Sequence, residues 1–228
     1  MRVVNLSQNS SDWAEWRKKG LGASDAPVIM GNSPWSTPFK LWAEKAGLIP
    51  RQETDNVYAL AAMQRGHDLE PKARELFEKA VGLLYPPLSA CHDEYEYIRA
   101  SFDGYNAEEQ AILEIKCPNK VDHGKALAGK IPDKYYPQLM QQFLVSGAVK
   151  GYYVSWDGKS DKLAIVEVLP DAPYIANLLR EVKRFWALVD LQMPPPVTED
   201  DRKSAVALVV SAQKRLDIAI RTLQLTLG

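Results

Sequence analysis

Residues 100 to 118 read ASFDGYNAEEQAILEIKCP. The later part, Ala111-Ile112-Leu113-Glu114-Ile115-Lys116-Cys117, has the make-up of a buried strand with a carboxylate and an ammonium set into it. Side chains two apart along a strand share a face, so Glu114 and Lys116 project together while Leu113, Ile115 and Cys117 point the other way into a core. Burying a lone ion pair in a central strand is costly unless something further engages it. Asp103, in the Phe-Asp-Gly-Tyr turn just upstream, supplies a second acid. If Asp103 reaches Glu114 across the hairpin, two carboxylates converge on one point. That is a hard-oxygen site of the kind Mg2+ prefers, with coordination positions left for water and substrate. A metal beside a lysine can lower the pKa of bound water, hold phosphate oxygens and neutralise charge as a phosphodiester is hydrolysed. The alternative is a surface hairpin with an incidental Glu-Lys pair, because alternating charge is ordinary on a solvated strand face.

Outward from this strand the chain divides by pattern. Upstream it reads as helical: Asp12 and Glu15 have capping-box spacing around Trp13 and Trp16, Gly20 and Gly22 stop that helix, and Thr37-Pro38 opens another that ends near Gly47. Residues 57 to 81 place Leu69, Ala73, Leu76, Phe77 and Ala80 on one helical face, with a kink or break expected at Gly66 and Pro71. From residue 93 the pattern is β, with strands expected over 94–98, 111–117, 151–156 and 162–168 and a helix over 133–147 between the second and third. A helix over 172–191 ends at Pro194-Pro195-Pro196, a stiff connector, and 199–227 reads as a final amphipathic helix. The expected architecture is one α/β domain over residues 1–228, a mixed central sheet flanked by helices. Its parts are a mainly helical segment 1–92, a β core with a helix over 93–170 and C-terminal helices over 171–228.

Composition sets limits. At 228 residues with 46% hydrophobic and 25% charged residues, the chain is that of an ordinary globular protein. No segment approaches the roughly 20 apolar residues of a membrane span, and the start, MRVVNLSQNSSDW, has no apolar signal core, so a cytoplasmic location is expected. Two cysteines, Cys91 and Cys117, are too few for a disulfide framework, an all-cysteine zinc site or a four-thiolate cluster. His67, His92 and His123 share no ligand spacing. With a net charge of −1, attraction to nucleic acid would have to come from a local basic surface.

Ser101-Phe102-Asp103-Gly104 followed by Leu113-Glu114-Ile115-Lys116-Cys117-Pro118 resembles the Asp…Glu-x-Lys nuclease core, and specifically that of the phage lambda exonuclease (YqaJ-type viral recombinase) family. The resemblance implies a restriction-endonuclease-like fold, Asp103 and Glu114 as metal ligands together with the backbone carbonyl of Ile115, and Lys116 as the catalytic lysine. Phe102 stands where the family often has proline, which is not a reacting group. Trp13, Arg17 and Ser24 resemble the family's N-terminal segment, in which the arginine and serine bind the 5′-terminal phosphate; Ser101 is expected beside them. A serine ahead of a short helix and an arginine clamp suit an anion, although a plain helix cap and a solvated arginine would look the same in sequence.

Glu70, in Gly66-His67-Asp68-Leu69-Glu70, resembles the helical acid that adds to the metal site, and Gln138 resembles the glutamine near the metal-bound water or phosphate. Gln141 and Gln142 are easily confused with Gln138. Trp35, in a loop, is a candidate for stacking on a base, and Lys45, Lys120, Lys125, Lys130 and Lys134 are candidate phosphate contacts. The resemblance spans Trp13 to Val168. It implies a Mg2+-dependent 5′→3′ exonuclease on double-stranded DNA, with Mn2+ able to substitute, of phage or prophage origin. It further implies a homotrimeric ring that leaves a 3′ single strand for a single-strand annealing protein. An endonuclease on the same core and a non-catalytic DNA-end-binding protein are the rivals. An end-binding segment argues against the first, and three retained charges at a costly position argue against the second.

Overall fold

The opening stretch forms the middle of the protein. In the computed structural model, which describes residues 1–49, 57–159 and 162–203, the order of elements is β1 (Arg2–Val4), α1 (Ser11–Lys18), a 3-10 turn (Ala23–Asp25), α2 (Ala26–Ile29), α3 (Pro38–Lys45), α4 (Val57–Val81), β2 (Leu88–Cys91), β3 (Arg99–Phe102), β4 (Gly104–Asn106), β5 (Ala111–Lys116), α5 (Lys120–Leu127), α6 (Tyr136–Ser146), β6 (Lys150–Ser155), β7 (Ala164–Val168) and α7 (Ala172–Asp190). Strands β4-β5-β6-β7 make a four-stranded mixed sheet in which only β5 and β6 run parallel, and β1-β2-β3 make a second, antiparallel sheet. The parallel pair is connected through α5 and α6, as a parallel pair must be by a long crossover.

Each face of β5 has its own core. Leu113 and Ile115 pack with Ala73 and Phe77 of α4 and with Val154 and Trp156. On the opposite face Ile112 joins Leu139, Met140 and Phe143 of α6 and Leu178, Val182 and Phe185 of α7. Glu114 and Lys116 share that second face, as the two-residue period requires. The chain leaves one sheet at Phe102 and enters the other at Gly104, so Asp103 is the single residue between them.

Three sequence expectations need correction. Residues 94–98 are not a strand but a turn between β2 and β3. The alternating tyrosines serve ring packing, since Tyr95 stacks on His92 and Tyr97 on Trp186. Backbone groups are satisfied locally, with the Glu94 and Tyr95 N–H groups donating to His92 Nδ1 and Ile98 N–H to the Tyr95 carbonyl. Helix α4 continues through Gly66 and Pro71, so there is no break there. The hydrogen bond that proline forfeits is outweighed by the packing of Leu69, Ala73, Leu76 and Phe77 on the sheet. The cap of α1 is Ser10, whose Oγ accepts from Trp13 N–H at 3.2 Å, and Asp12 lies inside the first turn. Of the expected final helix, residues 199–203 are helical and the remainder lies outside the described residues. Among the described residues no helix is long and apolar enough to cross a membrane.

Candidate active site

A cleft of about 270 Å³ is lined at one end by Asp103, Glu114, Ile115, Lys116, Gln138 and Glu70, and at the other by Trp13, Arg17, Ser24 and Ser101. Every candidate metal, catalytic and end-binding residue except Trp35 therefore lines one cavity, while the lysines offered as phosphate contacts do not line it. At its floor Glu114, 1% exposed, is held from three sides. Gln138 Nε2 donates to Oε1 at 2.5 Å, Gln142 Nε2 donates to Oε2 at 2.6 Å, and Lys116 Nζ pairs with Oε1. Gln138 and Gln142 are four apart on α6 and so face the same strand, whereas Gln141 turns away to the carbonyls of Leu21 and Arg99. Both Gln138 and Gln142 thus serve the carboxylate, and the second was not assigned from sequence.

Asp103 Oδ2 accepts from Ile115 N–H at 2.7 Å, in place of a strand partner, because β4 pairs with β5 only as far as Leu113. The N–H and C=O of a strand residue leave the same edge, so the Ile115 carbonyl faces the same side. Burial, and then the charges of Glu114 and Glu70, push the Asp103 carboxyl well above the usual carboxylate range. Burial alone would lower Lys116, but the Glu114 and Asp103 carboxylates together raise it, so it stands as an ammonium. Glu70 is paired with Arg74 at 2.5 Å one turn along α4.

These features fit a divalent cation: carboxyl groups close enough to repel one another, in a buried pocket beside an outward-facing carbonyl. Among the described residues no three acidic, histidine or cysteine groups close into a ready-made cage. Mg2+ needs none, since it keeps several waters and takes one or two carboxylates.

At the other end of the cleft Arg17 Nη2 donates to Ser24 Oγ at 2.7 Å and the guanidinium lies 4.6 Å from the Trp13 ring centre. Trp13 Nε1 donates to Ser101 Oγ at 2.9 Å. Ser24 is exposed and sits within the 3-10 turn leading to α2. Lys45, a candidate phosphate contact in sequence, is instead a buried strut: it pairs with Asp25 at 2.9 Å and donates to the Gly20 carbonyl at 2.6 Å, tying the end of α1 to the 3-10 turn. Lys134 pairs with Asp122 at 2.6 Å beneath Trp35, which is exposed outside the cleft and packs on Tyr135. His67, Gln8, Asn9 and Arg99 also line the cavity and carried no signal in the sequence. Burial raises the Cys117 thiol to about 11, which makes it a poor nucleophile next to the site.

A mixed sheet flanked by helices, with an acid at the junction between sheets and a Glu-x-Lys on the central strand, defines the restriction-endonuclease-like class of α/β proteins. Within it the chain belongs to the YqaJ-like viral recombinase domain family, which it matches over residues 12–149, more than half its length. It is 30% identical over 186 residues to the YqaJ protein of Bacillus subtilis (strain 168), spanning 80% of this chain but only 57% of that protein. Its fold is similar to the alkaline exonuclease of Laribacter hongkongensis, with a TM-score of 0.70 and 25% identity over 87% of this chain and 100% of that one. A phage-related exonuclease of Haemophilus somnus 129PT shares the fold, with a TM-score of 0.57 and 15% identity over 76% of this chain and 94% of that one.

Proposed function

We propose that this protein is a Mg2+-dependent 5′→3′ exonuclease that degrades one strand of linear double-stranded DNA from a 5′-phosphorylated end. On this reading it acts in the cytoplasm, is phage or prophage encoded, and leaves a 3′ strand for a single-strand annealing protein. The observation that carries the proposal is the joining of an anion-binding pair, Arg17 and Ser24, and a carboxylate–lysine cluster in one cleft. Membership of the recombinase family and likeness to an alkaline exonuclease support it.

Asp103, Glu114 and the Ile115 carbonyl would hold the cation, with Glu70 alongside; Mn2+ suits the same oxygen donors. The bound ion supplies an acidified water and charge neutralisation at the scissile phosphate. Gln138 and Gln142 fix the Glu114 carboxylate in one orientation, and Lys116 donates to the phosphate oxygens on which negative charge builds. Arg17 and Ser24 receive the terminal 5′-phosphate, which sets the register of the next bond to be cut.

The test compares linear duplex with 5′-phosphate ends, linear duplex with 5′-hydroxyl ends, and closed circular DNA, each with Mg2+ and with EDTA. A charge-assisted contact of about 1.5–3 kcal/mol predicts at least about tenfold faster digestion of the phosphorylated end, with no cutting of the circle. Cutting of the circle would favour an endonuclease on the same core.

A further inference from the structure

The two ends of the cleft are joined by a continuous run of polar contacts. Gln142, fully buried on α6, donates through Nε2 both to Glu114 Oε2 at 2.6 Å and to the Ser101 carbonyl at 3.2 Å. The hydroxyl of the same serine accepts from Trp13 Nε1 at 2.9 Å. The Trp13 ring carries the Arg17 guanidinium on its face, and Arg17 donates to Ser24. Only the amino end of the Gln142 amide can serve a carboxylate and a carbonyl together, so its orientation is determined. Its Oε1 is buried and, among the described residues, accepts from nothing. An apolar side chain would fill this space without an orphaned acceptor. What glutamine adds is the link between Ser101 and Glu114.

We infer that Gln142 is a positioning residue that couples occupancy of the Arg17–Ser24 pocket to the setting of Glu114. The inference rests on the end-binding role proposed above. An anion received at Arg17 and Ser24 competes for the hydrogen bond between them and draws the guanidinium relative to the Trp13 ring. Trp13 Nε1 is bonded to Ser101, whose carbonyl shares the Gln142 amino group with Glu114, so any shift of Ser101 changes how firmly Gln142 holds the carboxylate. By linkage, what the 5′-phosphate does to Glu114, Glu114 does to phosphate affinity. A 5′-phosphate should then raise kcat and not only lower KM, so that an engaged end is cut faster than one merely bound.

The test uses the full chain and two variants. Trp13→Phe keeps a ring under Arg17 and removes the Nε1 donor, and Gln142→Leu removes the shared amino group. In the wild type, kcat on 5′-phosphate duplex should exceed kcat on 5′-hydroxyl duplex by at least fivefold. In both variants that ratio should fall below about twofold, while the KM ratio changes much less. A readout free of turnover accompanies it. In metal-free, 15N-labelled protein the Gln142 side-chain amide resonance should move on adding a 5′-phosphorylated oligonucleotide, stay still with the 5′-hydroxyl one, and stay still with either in Trp13→Phe. If Gln142→Leu fails to fold, Trp13→Phe and the resonance still decide. A wild-type preference confined to KM, a kcat ratio untouched by Trp13→Phe, or an unmoved Gln142 resonance would overturn the coupling while leaving end binding in place. No phosphate preference in either constant would overturn both.

Discussion

Glu114 is a carboxyl group held in one orientation, with two amide donors and the Lys116 ammonium around it, whereas Asp103 is a carboxyl that burial and neighbouring charge disfavour in its ionised form. The two acids should therefore respond differently to substitution. Asp103→Asn keeps the shape and an acceptor for Ile115 N–H but removes the charge that Glu114 and Glu70 oppose. Mg2+ affinity measured by calorimetry should fall by more than the roughly tenfold to hundredfold of an outer-shell change, while the Tm of the metal-free protein stays level or rises. Lys116→Met should leave Mg2+ binding in place and lower turnover by about 10²–10³, the scale for removing one charge-stabilising donor. Loss of Mg2+ binding in that variant would contradict the assigned role. Glu114 and Lys116 were legible because they interrupt an apolar run at the period of a strand, and Asp103 because it stands in a turn just ahead of that run. Gln142 was not, because a neutral amide on a helix gives no pattern until the strand it faces is known. Trp35 was legible only as an exposed loop aromatic, and it lies outside the cleft.

At the scale of elements, what positions the Arg17–Ser24 pair is a strut. Lys45 and Asp25, with side chains only 9% and 11% exposed, pair between α3 and the 3-10 turn, and Lys45 also holds the Gly20 carbonyl at the end of α1. Lys45→Met leaves the Asp25 charge buried and should cost about 3–5 kcal/mol in chemical denaturation, along with part of the 5′-phosphate discrimination. The sheet offers a second measurement. A Cβ on Gly151 would stand 2.5 Å from Ile112 Cγ1 and 3.0 Å from Phe143 Cζ, where β6, β5 and α6 meet. Gly151→Ala should cost about 1–3 kcal/mol by overpacking, read as a lower denaturation midpoint with unchanged slope. The long elements β5, β6, α6 and α7 were legible, because their periodicity extends over enough residues to register. Strands β1 to β4, of three or four residues each, were not. Their edges were hidden by the Glu-Tyr alternation of the turn between β2 and β3, which imitates a strand while packing its rings on one another.

At the scale of the whole molecule the difficulty is charge. A protein of net charge −1 has no general attraction for a polyanion, and part of its basic complement is already paired: Lys45 with Asp25, Lys134 with Asp122, Lys116 with Glu114 and Lys150 with Glu109. Local contacts alone would be released between successive cuts, and more readily as salt screens them. Encirclement removes the need for attraction, since a closed ring holds duplex by topology and requires basic groups only on its inner wall. The resemblance to the exonuclease family implies a homotrimer around a central channel, and we expect light scattering at micromolar protein to show it. The functional check is a trap experiment. Enzyme loaded on labelled linear duplex is started with Mg2+ together with a large excess of unlabelled duplex, and digestion of the labelled strands should continue for hundreds of nucleotides at an undiminished rate. The same trap added before loading should abolish it. If the trap stops digestion at once at both times, or if a monomer digests linear duplex at the full rate, the ring is wrong. The grip on DNA would then have to come from the cleft alone.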